Sequence, residues 1–323
     1  MKRLKMLSLF SGVGSPEMAL RNLNIKYLLH GFSEIDLKAI KSYCAIHDIS
    51  EDKNLGDITK IVIEDLPSDI DLIVGGSPCQ DFSVSGYKAG GDEGSGTRSS
   101  LMWNQIAIVE HCKPKYVIWE NVKGVLQKSQ IHNYKKYLKR MEDIGYCNYS
   151  KIINSKHFGL AQDRDRMFVV SIRNDLNQQF EFPKEYDYEV TLRDVLDQDV
   201  PDRFMVKKIL NPRKTKKYVQ YDNSGKGYNS QAARLYYLDG QMCTLPKCNG
   251  GDKTQVLLNE EHMTGRRITP WEAWKLMGFK KEDYLKAESV GNTMGSLYAQ
   301  AGNSIAVPIL EEIFKILLKE YIE

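Results

Sequence analysis

The stretch Ile70-Asp71-Leu72-Ile73-Val74-Gly75-Gly76-Ser77-Pro78-Cys79-Gln80-Asp81-Phe82-Ser83 decides how the rest of the chain reads. Its opening is a short apolar run of strand length, and it then turns through two glycines to a proline and a cysteine. Open α/β sheets hold their ligands beyond the carboxyl ends of the strands, so Cys79 stands where such a fold does chemistry. Pro78 fixes part of the backbone before the sulfur, and the glycines let another molecule approach the main chain closely. From these residues alone a core cysteine explains Cys79 equally well, because free cysteine is also a small hydrophobe.

Toward the amino terminus, Leu4 to Phe10 reads as a strand and Ser11-Gly12-Val13-Gly14-Ser15 as a tight turn. Pro16 then suits an early helical position, with Glu17 to Leu23 continuing the helix. Strand, glycine turn and helix form a nucleotide-type cofactor site. The third glycine of the dinucleotide fingerprint is missing, and an ordinary β-to-α turn has the same form. Lys26 to Ser33 predicts a second strand ending at Glu34, the place where a ribose hydroxyl pair is usually held. Asp36 is placed to cap a helix over Leu37 to His47. Gly56-Asp57-Ile58 puts another acid after a short extended piece.

Toward the carboxyl terminus, residues 80–98 are rich in glycine, serine and threonine, which predicts a mobile segment able to act as a lid. A plain linker at this place in a βαβ series would be unusual. Leu101 to Glu110 predicts a helix, and Tyr116 to Trp119 a strand with Glu120-Asn121-Val122 at its end. Glu34, Cys79 and Glu120 thus fall at three strand ends along one edge of a sheet. A helix over Ser129 to Ile144 and a strand over Tyr146 to Ser155 follow. Gln162-Asp163-Arg164-Asp165-Arg166 then leads into a strand over Met167 to Ile172. Alternation puts Gln162, Arg164 and Arg166 on one side, the plainer reading being a surface ladder with Asp163 and Asp165.

Beyond Arg173 the periodicity weakens. Between 203 and 234, Arg203, Lys207, Lys208, Arg213, Lys214, Lys216, Lys217, Lys226 and Arg234 are offset only by Asp222, with tyrosines interleaved. That mixture suits phosphate contact and base stacking, where a solvated charged face is the ordinary alternative. Arg267 to Gly278 includes a helix with Pro270 early in it. Ala301-Gly302-Asn303-Ser304 precedes a last apolar helix over Ile305 to Leu318.

Composition bounds the answer. A chain of 323 residues is long enough for one large core and a second, smaller domain. Hydrophobic and charged fractions of 42% and 27% are those of an ordinary globular protein. No apolar run spans a bilayer and no signal-peptide core follows Met1 to Lys5, so the expectation is a cytoplasmic protein with no membrane partner. The six cysteines include no Cys-x-x-Cys pair, which argues against zinc or a disulfide framework, and no metal is expected. A net charge of +3 makes nucleic-acid binding a matter of local clusters.

Taken together and in order, these segments resemble the cytosine-C5 DNA methyltransferase family along nearly the whole chain. Phe10-Ser11-Gly12-Val13-Gly14 resembles its first motif, and Gly76-Ser77-Pro78-Cys79-Gln80 its Pro-Cys motif. Glu120-Asn121-Val122 matches its Glu-Asn-Val, and Gln162-x-Arg164-x-Arg166 its Gln-x-Arg-x-Arg. Arg267-Ile268-Thr269-Pro270-Trp271-Glu272 through Gly278-Phe279 resembles the ninth motif, and Gly302-Asn303-Ser304 the tenth. Each motif is weak alone; six in order around a variable stretch are specific. Ser8 stands where the family often has Asp, and Ser15 where it often has a second Gly. Both departures bear on the cofactor turn.

The resemblance implies an α/β fold: a Rossmann-like S-adenosylmethionine-dependent methyltransferase domain over 1–174 plus 300–323, and a smaller target-recognition domain over 175–299. It implies transfer of a methyl group from S-adenosyl-L-methionine to carbon 5 of a flipped-out cytosine in duplex DNA, with S-adenosyl-L-homocysteine as product. Cytosine is a poor nucleophile at carbon 5 until a thiolate adds at carbon 6. Cys79 is implied as that nucleophile. Glu120 would be the acid at ring nitrogen 3, its pKa raised in a closed site. Arg166 would reach the carbonyl oxygen, and Arg164 would help hold the base and the developing charge.

For the cofactor the resemblance implies Phe10, Gly12, Gly14, Glu34, Ile35, Asp57, Ile58, Pro78, Leu101 and Asn303. Glu34 would take the ribose hydroxyls, and Asp57 with Ile58 the adenine. Since Asn303 comes from the far end of the chain, the last helix is expected to pack back beside the first strand. Gln80, Ser83, Ser85, Asn121 and Gln162 would face the DNA or the cytosine, Asn121 also ordering the loop around Glu120 and Pro78. The Thr244-Leu245-Pro246 segment lies near the family's Thr-Leu signal and would belong to the part that reads sequence. A monomer is expected, of the bacterial or phage modification type, with a cognate restriction endonuclease acting separately.

A tRNA cytosine methyltransferase of the same superfamily would use the same Cys79 and Glu120; the basic stretch between the motif blocks favours duplex DNA. A non-catalytic DNA-binding relative has no need of Cys79, Glu120, Arg164 and Arg166 together. A redox Rossmann enzyme would leave the two-arginine motif unexplained.

Overall fold

The computed structural model describes residues 3–78, 92–96, 98–206, 209–222, 231–246 and 254–322, without the side chains of Arg98 and Ser99. Contacts divide the chain into two compact units. The first comprises 1–153, 165–184 and 309–323; the second comprises 154–164 and 185–308. Residues 175–184 therefore belong with the first unit, and 154–164 and 300–308 with the second.

The first unit is built on β1 (Leu4–Leu9), α1 (Ser15–Asn22), β2 (Tyr27–Ser33), α2 (Leu37–His47) and β3 (Leu72–Gly75). It continues through α3 (Met102–Cys112), β4 (Tyr116–Val122), α4 (Ile131–Asp143) and β5 (Tyr146–Asn154). After β6 (Gln162–Asp163), which belongs to the second unit, β7 (Asp165–Arg173) returns to the sheet. The six strands run in the order β2-β1-β3-β4-β7-β5. Pairing is parallel from β2 to β4 and antiparallel between β4 and β7.

Strands buried on both faces read as continuous apolar runs, and β3 and β4 are such strands. On one face Leu7, Ile73, Met102, Ile106 and Tyr137 form a core against α3 and α4, with Trp119 stacked on Tyr137 at 4.7 Å. On the other face Phe32 stacks on Tyr43 of α2 at 4.0 Å. The chain leaves β1 for β2 on one side and reaches β3 on the other. The first strand end is therefore the switch point where open sheets hold ligands.

The second unit carries α5 (Leu192–Val195), β8 (Arg213–Lys214), β9 (Tyr218–Gln220), β10 (Arg234–Tyr237), β11 (Met242–Cys243), β12 (Gln255–Asn259) and β13 (Thr264–Arg267). After them come α6 (Pro270–Lys275), α7 (Lys281–Ser289) and α8 (Met294–Asn303). A five-stranded sheet in the order β13-β12-β10-β9-β8 packs Val219, Tyr221, Ala233, Leu235 and Leu257 together. A separate parallel pair joins β11 to β6. Thr269 and Glu272 form a capping box at the start of α6, and the Glu272 carboxylate also takes both terminal nitrogens of buried Arg266 at 2.7 and 2.8 Å.

The last helix, α9 (Val307–Leu317), runs into the first unit. There Asn22, at the end of α1, donates to Glu311 at 2.6 Å. The carboxyl-terminal helix thus meets α1. The tenth-motif residues lie within or directly after α8. Among the described residues no helix is long and apolar enough to cross a membrane.

Candidate active site

The turn after β1 is written into the backbone. Phe10, Gly12 and Gly14 all have positive φ, +52°, +55° and +84°. At Gly14 a Cβ would stand 2.1 Å from Nε2 of His47, so only glycine fits. At Gly12 a Cβ would meet nothing within 4 Å, so the turn is open on its outer side.

Glu34, just past β2, is locked to this turn. Its Oε2 accepts from the Gly12 amide at 2.9 Å, and its Oε1 from the amides of Ile35 and Asp36 at 2.8 and 2.9 Å. Asp36 caps α2 by accepting from Lys38 and Ala39, as the sequence predicts. Asn54 clamps Glu34 from the other side. It accepts from the Glu34 and Gly56 amides and donates to the Glu34 carbonyl, all at 3.1 Å. Sequence reading passed over Asn54, because nothing in its neighbours marks it as a partner of a residue twenty positions away.

Ile35 is an isoleucine left 70% exposed beside this carboxylate. Asp57 accepts from Thr59, whose amide and hydroxyl hold its carboxyl below the usual range. Ile58 puts its side chain into the core. Leu101 packs half-buried against the same core. An open glycine turn, a fixed carboxylate at the second strand end and an exposed apolar side chain together fit an adenosine-type cofactor. Asn303 lies exposed at the end of α8, in the second unit.

The second cluster sits at the end of β4. Antiparallel register sets Val122 opposite Arg166 and Glu120 opposite Phe168, which makes Glu120 and Arg166 diagonal neighbours. Arg166 Nε lies 3.0 Å from Glu120 Oε1, both side chains being nearly buried. Asn121 turns inward. Its Nδ2 donates to the carbonyl and the hydroxyl of Ser77 at 3.1 Å, and Trp119 Nε1 donates to the same hydroxyl at 3.0 Å. The backbone two residues before Cys79 is thereby tied to the strand that carries Glu120. Gly75 is needed because a Cβ there would meet the Gln105 amide oxygen at 2.6 Å. Cys79, Gln80, Ser83, Ser85 and the expected lid over 80–98 fall wholly or largely outside the described residues.

Gln162, Arg164 and Arg166 do not behave as one row. The extended segment is broken at Arg164, between β6 and β7. Gln162 is fully buried, donating to the Leu276 carbonyl at 2.8 Å and accepting from the Leu245 amide at 2.9 Å. Arg164 is 2% exposed, and its guanidinium donates to the carbonyls of Gly302 and Ser304 at 3.1 and 2.9 Å, with Leu245 at 3.5 Å. Thr244, from the Thr-Leu segment, donates to the Asp163 carbonyl at 3.1 Å. Gln162 and Arg164 thus gather three distant stretches of the second unit, whereas Arg166 turns to Glu120. The surface ladder with Asp163 and Asp165 does not form either: Asp163 pairs with Lys217 and Asp165 with Lys123 rather than with the arginines. Among the described residues no group of three His, Cys, Asp or Glu side chains is placed to hold a metal ion.

Comparison with known proteins agrees with this geometry. A type II methyltransferase of Lactococcus lactis subsp. cremoris, M2.ScrFI, is 33% identical, with 98% of this chain and 99% of that one covered. The orphan methyltransferase M.SPBetaI of Bacillus phage SPbeta is 30% identical, with 100% and 99% covered. In fold, the chain is similar to the S. pombe Dnmt2 methyltransferase, with a TM-score of 0.72 at 20% identity and 98% and 99% coverage. The family profile described as C-5 cytosine-specific DNA methylase matches residues 4–319. A match of that length, passing through both units, places the chain in the C-5 cytosine-specific DNA methylase family, as an enzyme that uses S-adenosylmethionine to methylate carbon 5 of cytosine in DNA.

Proposed function

We propose that this methyltransferase is a sequence-specific modification enzyme that marks its own DNA, with Cys79 as nucleophile. It acts as a monomer in the cytoplasm, and any cognate endonuclease works as a separate protein. Support for the modification role comes from the relatives, which are named as type II and phage methyltransferases. The observation that carries the chemistry is the Glu120–Arg166 pair, in which Glu120 comes from β4, the strand whose Trp119 and Asn121 hold Ser77 beside the Pro78-Cys79 step.

The Cys79 thiolate adds to carbon 6 of a flipped-out cytosine while Glu120 holds a proton at ring nitrogen 3. Arg166 donates to the carbonyl oxygen, where negative charge develops, and keeps the Glu120 carboxyl aimed. Electron density at carbon 5 is thereby raised. When bound, S-adenosylmethionine supplies an electrophilic methyl group. Loss of the carbon 5 proton then expels Cys79. Of the described cysteines, Cys44, Cys112 and Cys243 have thiols pushed up by burial, Cys112 to about 11, and are poor sources of thiolate.

Glu34 would hold the ribose hydroxyls, Phe10 and Ile35 would flank the adenine, and the Gly12–Gly14 turn would receive the methionine portion. Asp57, the Ile58 backbone, Pro78, Leu101 and Asn303 would complete that site. Asn121, Gln162 and Arg164 act by holding the chain rather than by touching the base, since each is engaged with the protein's own backbone. Residues 185–308 would read the target sequence.

Covalent trapping tests the proposal. Duplex DNA carrying 5-fluorocytosine, which cannot lose a proton from carbon 5, is incubated with S-adenosylmethionine and the protein. The expected result is a denaturation-resistant adduct that Cys79→Ala does not form. An adduct on tRNA alone would transfer the chemistry to RNA, and an equal adduct with Cys79→Ala would remove Cys79 from it.

A further inference from the structure

Beneath the cofactor turn lies a polar cluster that the methylation chemistry does not use. Glu17, in the first turn of α1, has no exposed surface. Tyr43 of α2 donates to its Oε1 at 2.8 Å, and Oε2 has no hydrogen-bond partner. Ser8 of β1 is 1% exposed and its hydroxyl is also unpartnered, yet it lies near enough to bear on the Glu17 carboxyl. Tyr27 of β2 lies within electrostatic reach of the same group.

Burial is the largest influence on Glu17 and pushes its carboxyl above the usual range, against the hydrogen bond from Tyr43 and the weaker pull of its own amide and the nearby Ser8 hydroxyl. A carboxylate with no exposed surface costs more than the neutral acid. As an acid, Glu17 can accept from Tyr43 with one oxygen and donate toward Ser8 with the other. Ser8 is also one of the two positions at which the first motif departs from its family.

The cluster is mechanically continuous with the turn. The Tyr43 ring stands where it would meet a Cβ at Gly14 at 2.9 Å. One helical turn on, His47 Nε2 lies 3.0 Å from the Val13 carbonyl. Tyr43 also stacks on Phe32, two residues before Glu34. One ring therefore walls both the glycine turn and the strand end that carries the Glu34 carboxylate.

We propose that Glu17 is a positioning residue for the methyl donor: through its hydrogen bond to Tyr43 it fixes the Gly12–Gly14 turn and the Glu34 strand end in the form that binds the donor. The test measures S-adenosylhomocysteine binding by calorimetry, the split of KM for S-adenosylmethionine against kcat, and thermal unfolding. Wild type is compared with Glu17→Gln, Glu17→Ala and Tyr43→Phe.

Tyr43→Phe and Glu17→Ala should each weaken S-adenosylhomocysteine about tenfold, the equivalent of one buried hydrogen bond, with kcat at saturating donor unchanged. Glu17→Gln, a neutral group with one acceptor and one donor, should stay within about threefold of wild type. Folded Tyr43→Phe protein that binds as tightly as wild type would reduce Glu17 to packing. Glu17→Gln as weak as Glu17→Ala would show that a charge, not a neutral acid, is required and would overturn the assignment. Should Glu17→Ala fail to fold, Tyr43→Phe, which removes one oxygen atom, decides the matter.

Discussion

Where β1 and β2 end, the carboxylates bind backbone; in the five-stranded sheet of the second unit, the basic side chains of Lys214 and Arg234 meet other side chains. Glu34 accepts from three peptide amides and Asp36 from two. In the sheet, Lys214 reaches Glu260 and Arg234 lies over the Tyr218 ring at 4.9 Å. A carboxylate held by amides has one geometry before any ligand arrives, which suits a site that must present the same face to one cofactor. Exposed ion pairs can be exchanged for phosphate at little cost, which suits a surface that must adapt to DNA. Elsewhere in the second unit, Gln162, Arg164 and the Arg266–Glu272 pair are buried and fully engaged.

The sharpest test within the first unit is Glu120→Gln, at the end of β4. The amide keeps the shape of the Arg166 contact and removes the proton that the mechanism needs at ring nitrogen 3. Methyl transfer should fall on the order of a thousandfold, with thermal unfolding and DNA affinity near wild type. A loss below tenfold in single-turnover kinetics would detach Glu120 from proton transfer and leave it as a partner of Arg166.

Next in size is a contrast inside one motif. Arg164→Ala leaves carbonyls of Gly302 and Ser304 without their buried donor and should cost about 3 kcal/mol of unfolding free energy. Arg166→Ala should cost less, about 1 to 2 kcal/mol, because the nearly buried Glu120 that loses its partner can take up a proton instead. It should nevertheless lower kcat about a hundredfold. Urea unfolding and steady-state rates on the two variants measure both effects. Equal stability losses would return the two arginines to a single role.

That contrast marks the limit of what the sequence discloses. The strands of the first unit were legible because a sheet covered on both faces demands apolar runs, and Leu72 to Val74 and Tyr116 to Trp119 supply them. The glycine turn and Glu34 were legible because positive φ and a strand-end acid leave marks in neighbouring residues. Arg164 was not, since alternation cannot reveal that the chain breaks there or that the partners lie some 140 positions away. Asn54 and Trp119 escaped for the same reason: each acts on a group brought near by folding, Asn54 on the Glu34 and Gly56 backbone and Trp119 on the Ser77 hydroxyl. Helix α8 had no sequence prediction, and it is held by buried Leu297 and by its carbonyl bond to Trp274.

The smallest expected effect sits in the sheet. Lys214 and Glu260 are both about half exposed, and such pairs contribute less than about 1 kcal/mol. Lys214→Ala should leave urea unfolding within about 0.5 kcal/mol of wild type. If Lys214 serves phosphate, the same variant should weaken DNA binding about equally across sequences and lower the salt dependence by about one ion. Those two readouts separate the two kinds of region. A residue fixed by backbone loses chemistry or stability when removed, whereas one in an exchangeable pair loses only its share of the counterion release. A stability loss above about 2 kcal/mol would show that the Lys214–Glu260 pair holds the sheet together, and the second unit would then be as preset as the first.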